Sequence, residues 1–187
     1  FPEFVAWDRP YSAWIYMIAT SLFGEHVLPY HLLLLAERWL AVFFFWKILQ
    51  MVWPDARRET SWAVLLFAVY PGFHQQPISV QYILHFASLA LCLFSIWCML
   101  KAAEAENLQS TGKQGIFYTV IGVIASVAAL FSCEYFVGLE FIRPLLLWFF
   151  AVNILKNEAK VKQIFLRWFP YLIGTVFFLV WRVFIFS

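Results

Sequence analysis

Ile78-Ser-Val-Gln-Tyr-Ile-Leu-His-Phe-Ala-Ser-Leu-Ala-Leu-Cys-Leu-Phe-Ser-Ile-Trp-Cys-Met-Leu100-Lys101 contains no Asp, Glu, Lys or Arg before its last residue. As a helix, a run of this length crosses the ~30 Å hydrocarbon core of a bilayer. Gln81, His85, Ser88, Cys92 and Ser95 follow one another at spacings of 4, 3, 4 and 3 residues, which gathers them on one helix face. A membrane strand would alternate every second residue, and no such alternation runs through the chain. The stretch reads as a transmembrane helix with one polar stripe. That stripe either lines a cavity or forms a seam of small and polar residues against another helix.

The pattern repeats on both sides. Apolar runs at 29–53, 61–73, 78–101, 116–132, 137–155 and 168–186 predict six spans, the second of them short. Residues 11–23 are too few to cross. Tyr11, Trp14 and Tyr16 suit the headgroup layer and Pro10 suits a first helical turn, so about 10–24 is expected to lie as an interfacial helix. The fold class is therefore all-α: a polytopic helical membrane bundle forming a single transmembrane domain over residues 1–187. Composition agrees: 13% of residues are charged and 64% are hydrophobic, against ~25% charged in soluble domains. No cleavable leader is expected. Phe1-Pro2 at one end and an apolar run just before Ser187 at the other lead us to expect a piece of a longer protein.

Charge gives the chain a direction. Arg57, Arg58, Lys101, Lys113, Lys156, Lys160, Lys162 and Arg167 all fall in alternate loops, which the positive-inside rule assigns to the cytoplasm. Asp8, Arg9, His74, Glu134, Glu140 and Arg143 belong to the opposite, outer side. Cys92, Cys98 and Cys133 lack metal-ligand spacing and read as small apolar filler. There is no phosphate loop, dinucleotide glycine pattern or zinc motif, and nothing supports nucleic-acid binding.

Several side chains are placed where chemistry is feasible. Asp8 precedes the interfacial helix and suits a general base, with Arg9 beside it as a phosphate clamp. Their alternative role is a helix cap and a headgroup anchor. His31 and Arg38 are seven apart and share a face of the first span, with Glu37 about 100° round the helix. Charges at that depth need partners or a wet cavity. The choice is a structural ion pair or a phosphate site. His85, with His74 and Gln75 in the preceding loop, tops the polar stripe. Glu134 stands at a membrane-edge turn, as a ligand, a proton acceptor or an interfacial charge. Glu140 and Arg143, three apart, can pair on one helix face, with Pro144 kinking or starting that helix. Gly122, Ala125, Ser126 and Ala129 form a close-packing face. Trp39, Trp46 and Trp53 recur every seven residues as bulk, and Asp55 to Glu59 read as a solvated turn.

The order of these features resembles the integral-membrane glycosyltransferases of the C-type fold, the group of protein O-mannosyltransferases and related bacterial enzymes. Arg9-Pro10 precedes a helix ending in Phe23-Gly24, and Pro29-Tyr30-His31 opens the next helix. Leu66-Phe67-Ala68-Val69-Tyr70-Pro71-Gly72-Phe73-His74 follows, and later Ser132-Cys133-Glu134-Tyr135. Tyr70 stands where the family usually has histidine, and Ser-Cys-Glu where a lysine–glutamate pair is common. The resemblance covers about residues 8–145.

It implies an inverting transfer of a sugar from a polyprenyl-phosphate donor to a protein, glycan or lipid acceptor on the outer or luminal face. The membrane would be the bacterial inner membrane, the plasma membrane or the endoplasmic reticulum. Asp8 and Glu134 become the candidate catalytic residues, with Glu3 behind them. Arg9, His31, Arg38, His74 and His85 become candidate substrate-binding residues. The resemblance also implies a further membrane helix, and with it the family's own acidic residue, before Phe1. A divalent cation is left open, and no metal ligands are assigned. Other classes compete: a transporter or flippase of lipid-linked substrates, and a non-catalytic scaffold in contact with membrane lipids.

Overall fold

A computed structural model describes residues 10–70, 79–107, 112–153 and 161–185. Asp8, Arg9 and His74 lie outside them, as does Glu3. Among the described residues the chain is all-α, as expected. The elements are α1 (Pro10–Phe23), α2 (Val27–Val52), α3 (Arg57–Ala68), α4 (Ser79–Asn107) and α5 (Gly112–Ser132). A 3-10 turn (Glu134–Phe136), α6 (Val137–Glu140), α7 (Arg143–Asn153) and α8 (Val161–Ile185) complete the order.

Four helical stretches are long and apolar enough to cross a membrane: Tyr82–Glu106, Lys113–Ser132, Glu134–Val152 and Val161–Phe184. They match the last four of the six expected spans. α2 has the length, 26 residues, but carries Glu37, Arg38 and Lys47. α3 does not. Its 12 residues reach ~18 Å, little more than half the hydrocarbon core. The expected turn over Asp55–Glu59 is also shorter than anticipated. Trp53 and Pro54 end α2, because the residue before proline avoids the helical region. α3 then starts at Arg57, with Glu59 in its first turn, where a carboxylate meets the positive end of the helix dipole. α8 likewise begins at Val161, drawing the basic stretch Lys162–Arg167 into the helix.

The bundle is built round α4, which packs along α5 on one side and α2 on the other. The apolar window of α4 is 67% buried and that of α8 only 22%, so α8 is the most peripheral of these four. The core runs through Ala41, Ile48, Val52, Leu93, Ile96 and Leu100 to Phe150 and Tyr171. Gly122, Ala125, Ser126 and Ala129 turn inward on α5, as their small size predicted. The α4 stripe turns inward too: Ser88, Cys92 and Ser95 are buried. Small residues let helices approach closely where lipid offers no hydrophobic driving force between them.

α1 lies across one end of the bundle. Ser12, Ala13 and Ala19 are buried, while Trp14, Ile18 and Leu22 form an exposed apolar row. Tyr11 meets Phe131 of α5 edge-on at 5.9 Å. Ala19 and Phe23 pack with Tyr30 and Leu34 of α2 and with Ile83 and Phe86 of α4. Such a helix, bound by one face with its other face apolar, fits the interfacial placement expected from sequence.

Candidate functional site

Two polar regions emerge, one at the α1 end and one in the middle of the bundle. At the α1 end, Gly24 closes the helix with φ +57°, and its N–H donates to the Thr20 carbonyl at 2.9 Å. This left-handed C-terminal cap is the conformation glycine adopts without a Cβ penalty. The Tyr30 hydroxyl donates to the Gly24 carbonyl at 2.9 Å, and the Phe23 and Tyr30 rings meet edge-on at 5.4 Å. Phe23-Gly24 and Pro29-Tyr30-His31, separate in sequence, thus form one joint. His31, half-buried, follows directly on α2.

Across the same end, the 3-10 turn begins at Glu134, which is half-buried. Its neighbour Tyr135 reaches back to His85 of α4, with ring centroids 5.5 Å apart. Tyr82 meets the same imidazole at 5.2 Å. His85 is therefore held between two tyrosines, and the turn that carries Glu134 is held against α4. Of the predicted residues, the structure brings His85 and the Glu134 turn together.

Arg38 takes a different role. It lies seven residues, ~10 Å, deeper along α2 than His31. Its Nη2 donates to the Ala68 carbonyl at the end of α3. A cation at a helix C-terminus neutralises the exposed carbonyls and the negative end of the dipole. The guanidinium thereby ties the end of this half-length helix to α2. Glu37 points elsewhere, into the buried row of Tyr30, Leu34 and Ala41, and its Oε2 has no hydrogen-bond partner among the described residues.

The middle of the bundle holds the most completely buried charges. Arg143 is 0% and Glu140 2% exposed. Arg143 Nε donates to Glu140 Oε2 at 2.6 Å and Nη2 donates to Oε1 at 2.7 Å. The Ser126 hydroxyl donates to the same Oε1 at 2.9 Å. Nη2 also donates to Ser95 Oγ at 2.9 Å, and that hydroxyl donates onward to the Gly122 carbonyl at 2.5 Å. Ser95 stands sixteen residues into α4, ~24 Å from its start and ~18 Å from its end. The Arg143 guanidinium carbon lies 4.5 Å from the centroid of the Tyr171 ring, in cation–π range. Among the described residues, Arg143 Nη1 and the Tyr171 hydroxyl are buried without hydrogen-bond partners.

Pro144 stands in the first turn of α7 and Phe141–Ile142 form the turn before that helix, so Glu140 and Arg143 straddle a break between two helices. Both carboxylate oxygens accept bonds from within the network. The cluster therefore acts as a clamp joining α4, α5, α7 and α8, not as a free base.

Sequence reasoning paired Glu140 with Arg143 but missed this centre. Ser95 stood in the polar stripe and Ser126 in the small-residue face, yet nothing local joins them. Tyr171 carried no signal. Among the described residues no group of His, Cys, Asp and Glu could hold a metal ion, and the three cysteines are buried and form no disulfide. The chain matches no protein-family model, no curated protein and no solved structure.

Proposed function

We propose that the chain forms the membrane bundle of a glycosyltransferase, transferring a sugar from a polyprenyl-phosphate donor to an acceptor at the α1 end. The observation that carries this reading is the joint at that end. Phe23, Gly24 and Tyr30 lock α1 over the bundle, and His85 and Tyr135 fix the turn carrying Glu134 beneath it. Phe23, Gly24 and Tyr30, three of the residues that gave the resemblance, meet in this joint, which supports the reading. On this reading Asp8 or Glu134 accepts the acceptor's proton. Arg9, with His31, His74 and His85, meets the donor phosphate, a good leaving group once its charge is stabilised. Arg38 is spent on α3 and supports the site from below. The α1 end is then the outer or luminal side of the membrane.

The test is transfer of labelled sugar from a synthetic polyprenyl phosphate by the intact protein in proteoliposomes. Asp8→Asn or Glu134→Gln is expected to abolish transfer without displacing the lipid donor. Full transfer by the double variant would end the proposal.

A specific feature favours a second reading, a transporter or flippase of lipid-linked substrates. The α6–α7 segment breaks beside Glu140 and Arg143, which are fully buried. Interrupted helices at membrane depth are a feature of transporters. Flipping of labelled lipid that survives loss of Asp8 and Glu134 would favour it.

A further inference from the structure

At the end of the bundle opposite α1, a cleft of about 420 Å³ opens between α4, α5 and α8. That is within the ~300–1,000 Å³ typical of ligand sites. Its walls are Met99, Ile116, Val120, Leu166 and Pro170, and its inner end is the ring of Tyr171. Ile116, Val120 and Leu166 are all exposed, so the cleft opens sideways, on the surface that lipid covers. From Gln163 to Tyr171 it extends ~12 Å along α8.

Its mouth is polar and basic. Thr119, Gln163 and Arg167 line it together with Glu106. Arg167 Nε donates to Glu106 Oε2 at 2.9 Å, which leaves the outer edge of a planar guanidinium directed away from the pair. Lys113 and Lys162, in the first turns of α5 and α8, are exposed at the same end. Lys113 and Lys162 thus add positive charge at this end beyond the Arg167–Glu106 and Lys101–Glu104 pairs. Pro170 adds an acceptor. Having no N–H, it frees the Leu166 carbonyl four residues earlier, beside the cleft.

An apolar slot open to the bilayer, with excess positive charge at the headgroup level, is complementary to an anionic amphiphile. We propose that this cleft binds one anionic phospholipid from the leaflet at the basic end. Its acyl chain lies along Ile116, Val120 and Leu166, and its phosphate meets Arg167, Lys113 and Lys162. Arginine suits the phosphate because two parallel N–H donors match two oxygens. A free phosphate would leave the apolar slot empty, which is why the lipid is favoured. The site lies at the far end from α1 and is independent of the glycosyltransferase reading.

Native mass spectrometry of the full chain in detergent, titrated with phosphatidylglycerol or phosphatidylcholine, tests it. Phosphatidylglycerol is expected to bind about tenfold more tightly than phosphatidylcholine, the ratio one charge-assisted phosphate contact supplies. Arg167→Ala should abolish that preference while leaving phosphatidylcholine binding unchanged. Val120→Trp, at an exposed position that tolerates bulk, should exclude both lipids while helicity and melting stay as in the parent. Equal binding of the two lipids, or an unaltered preference in Arg167→Ala, would overturn the proposal. So would competition by inorganic phosphate alone, which would identify a soluble ligand, and so would undiminished binding to a folded Val120→Trp protein.

Discussion

Arg143 on α7 sits over the ring of Tyr171 on α8, its guanidinium carbon 4.5 Å from the ring centroid. This contact ties the least buried of the four long apolar stretches to the most buried charge. The Arg143–Glu140 pair holds the other side of the same guanidinium. Removing one partner of a buried pair leaves an uncompensated charge. Arg143→Met is therefore expected to destabilise the bundle by about 3–5 kcal/mol, and adding Glu140→Gln to restore most of that. Reversible unfolding in mixed micelles measures both, and equal loss in single and double variants would count against the clamp.

Tyr171 also makes a prediction through Gly122. A Cβ at Gly122 would stand 2.5 Å from the Tyr171 hydroxyl and 3.1 Å from Cys98 Cβ. Gly122→Ala should cost about 1–3 kcal/mol by overpacking. Tyr171→Phe removes the closer of these obstacles and also a buried hydroxyl that has no partner among the described residues. The double variant is expected to be more stable than Gly122→Ala alone, and Tyr171→Phe alone no less stable than the parent. Thermal melting in detergent decides the order.

At the α1 joint the strain is in the backbone. Nothing lies within 4 Å of a Cβ at Gly24, but its φ is +57°. Gly24→Ala should cost about 1–2 kcal/mol, and Gly24→Asn less. Tyr30→Phe removes the hydroxyl that donates to the Gly24 carbonyl and should cost about 1 kcal/mol. Both variants should increase proteolysis after α1 without altering the remainder of the bundle, as limited digestion would show.

Arg38→Ala uncovers the carbonyl end of α3. Amide exchange at Leu65 to Val69 is expected to speed up, since the last turn loses its cap. Arg38→Lys should recover part of the protection through charge alone. Exchange confined to the α2 face, with α3 unchanged, would refute the capping role.

Most of the helical architecture was legible because lipid imposes length and charge rules on sequence. α4 and α5 follow directly from uncharged runs, and α1 from aromatic residues in a run too short to cross. α3 was misjudged because apolar residues after Ala68 extend its pattern, while the Arg38 contact that ends it comes from another helix. The Glu140–Arg143 pair was readable from local spacing. Its bonds to Ser95 and Ser126 were not, since they depend on how α4 and α5 meet in space. Of the candidate site, His85 and Glu134 converge through Tyr135, a residue whose aromatic ring gave no functional signal. Asp8, Arg9 and His74 remain readable from sequence only.

The three-residue separation of Glu140 and Arg143 bears on how this chain reaches its membrane. An arginine bonded only to distant helices would have to enter lipid charged and wait for them. Here the carboxylate is made three residues earlier and pairs within a single turn of chain. Its segment leaves the ribosome already neutral as a unit, so the ~2.5–3.5 kcal/mol resisting insertion of each lone charge need not be met twice. Biogenesis and final assembly then follow in sequence: self-neutralisation first, recruitment of Ser95 and Ser126 afterwards, and closure by α8, which comes after α7 in the chain.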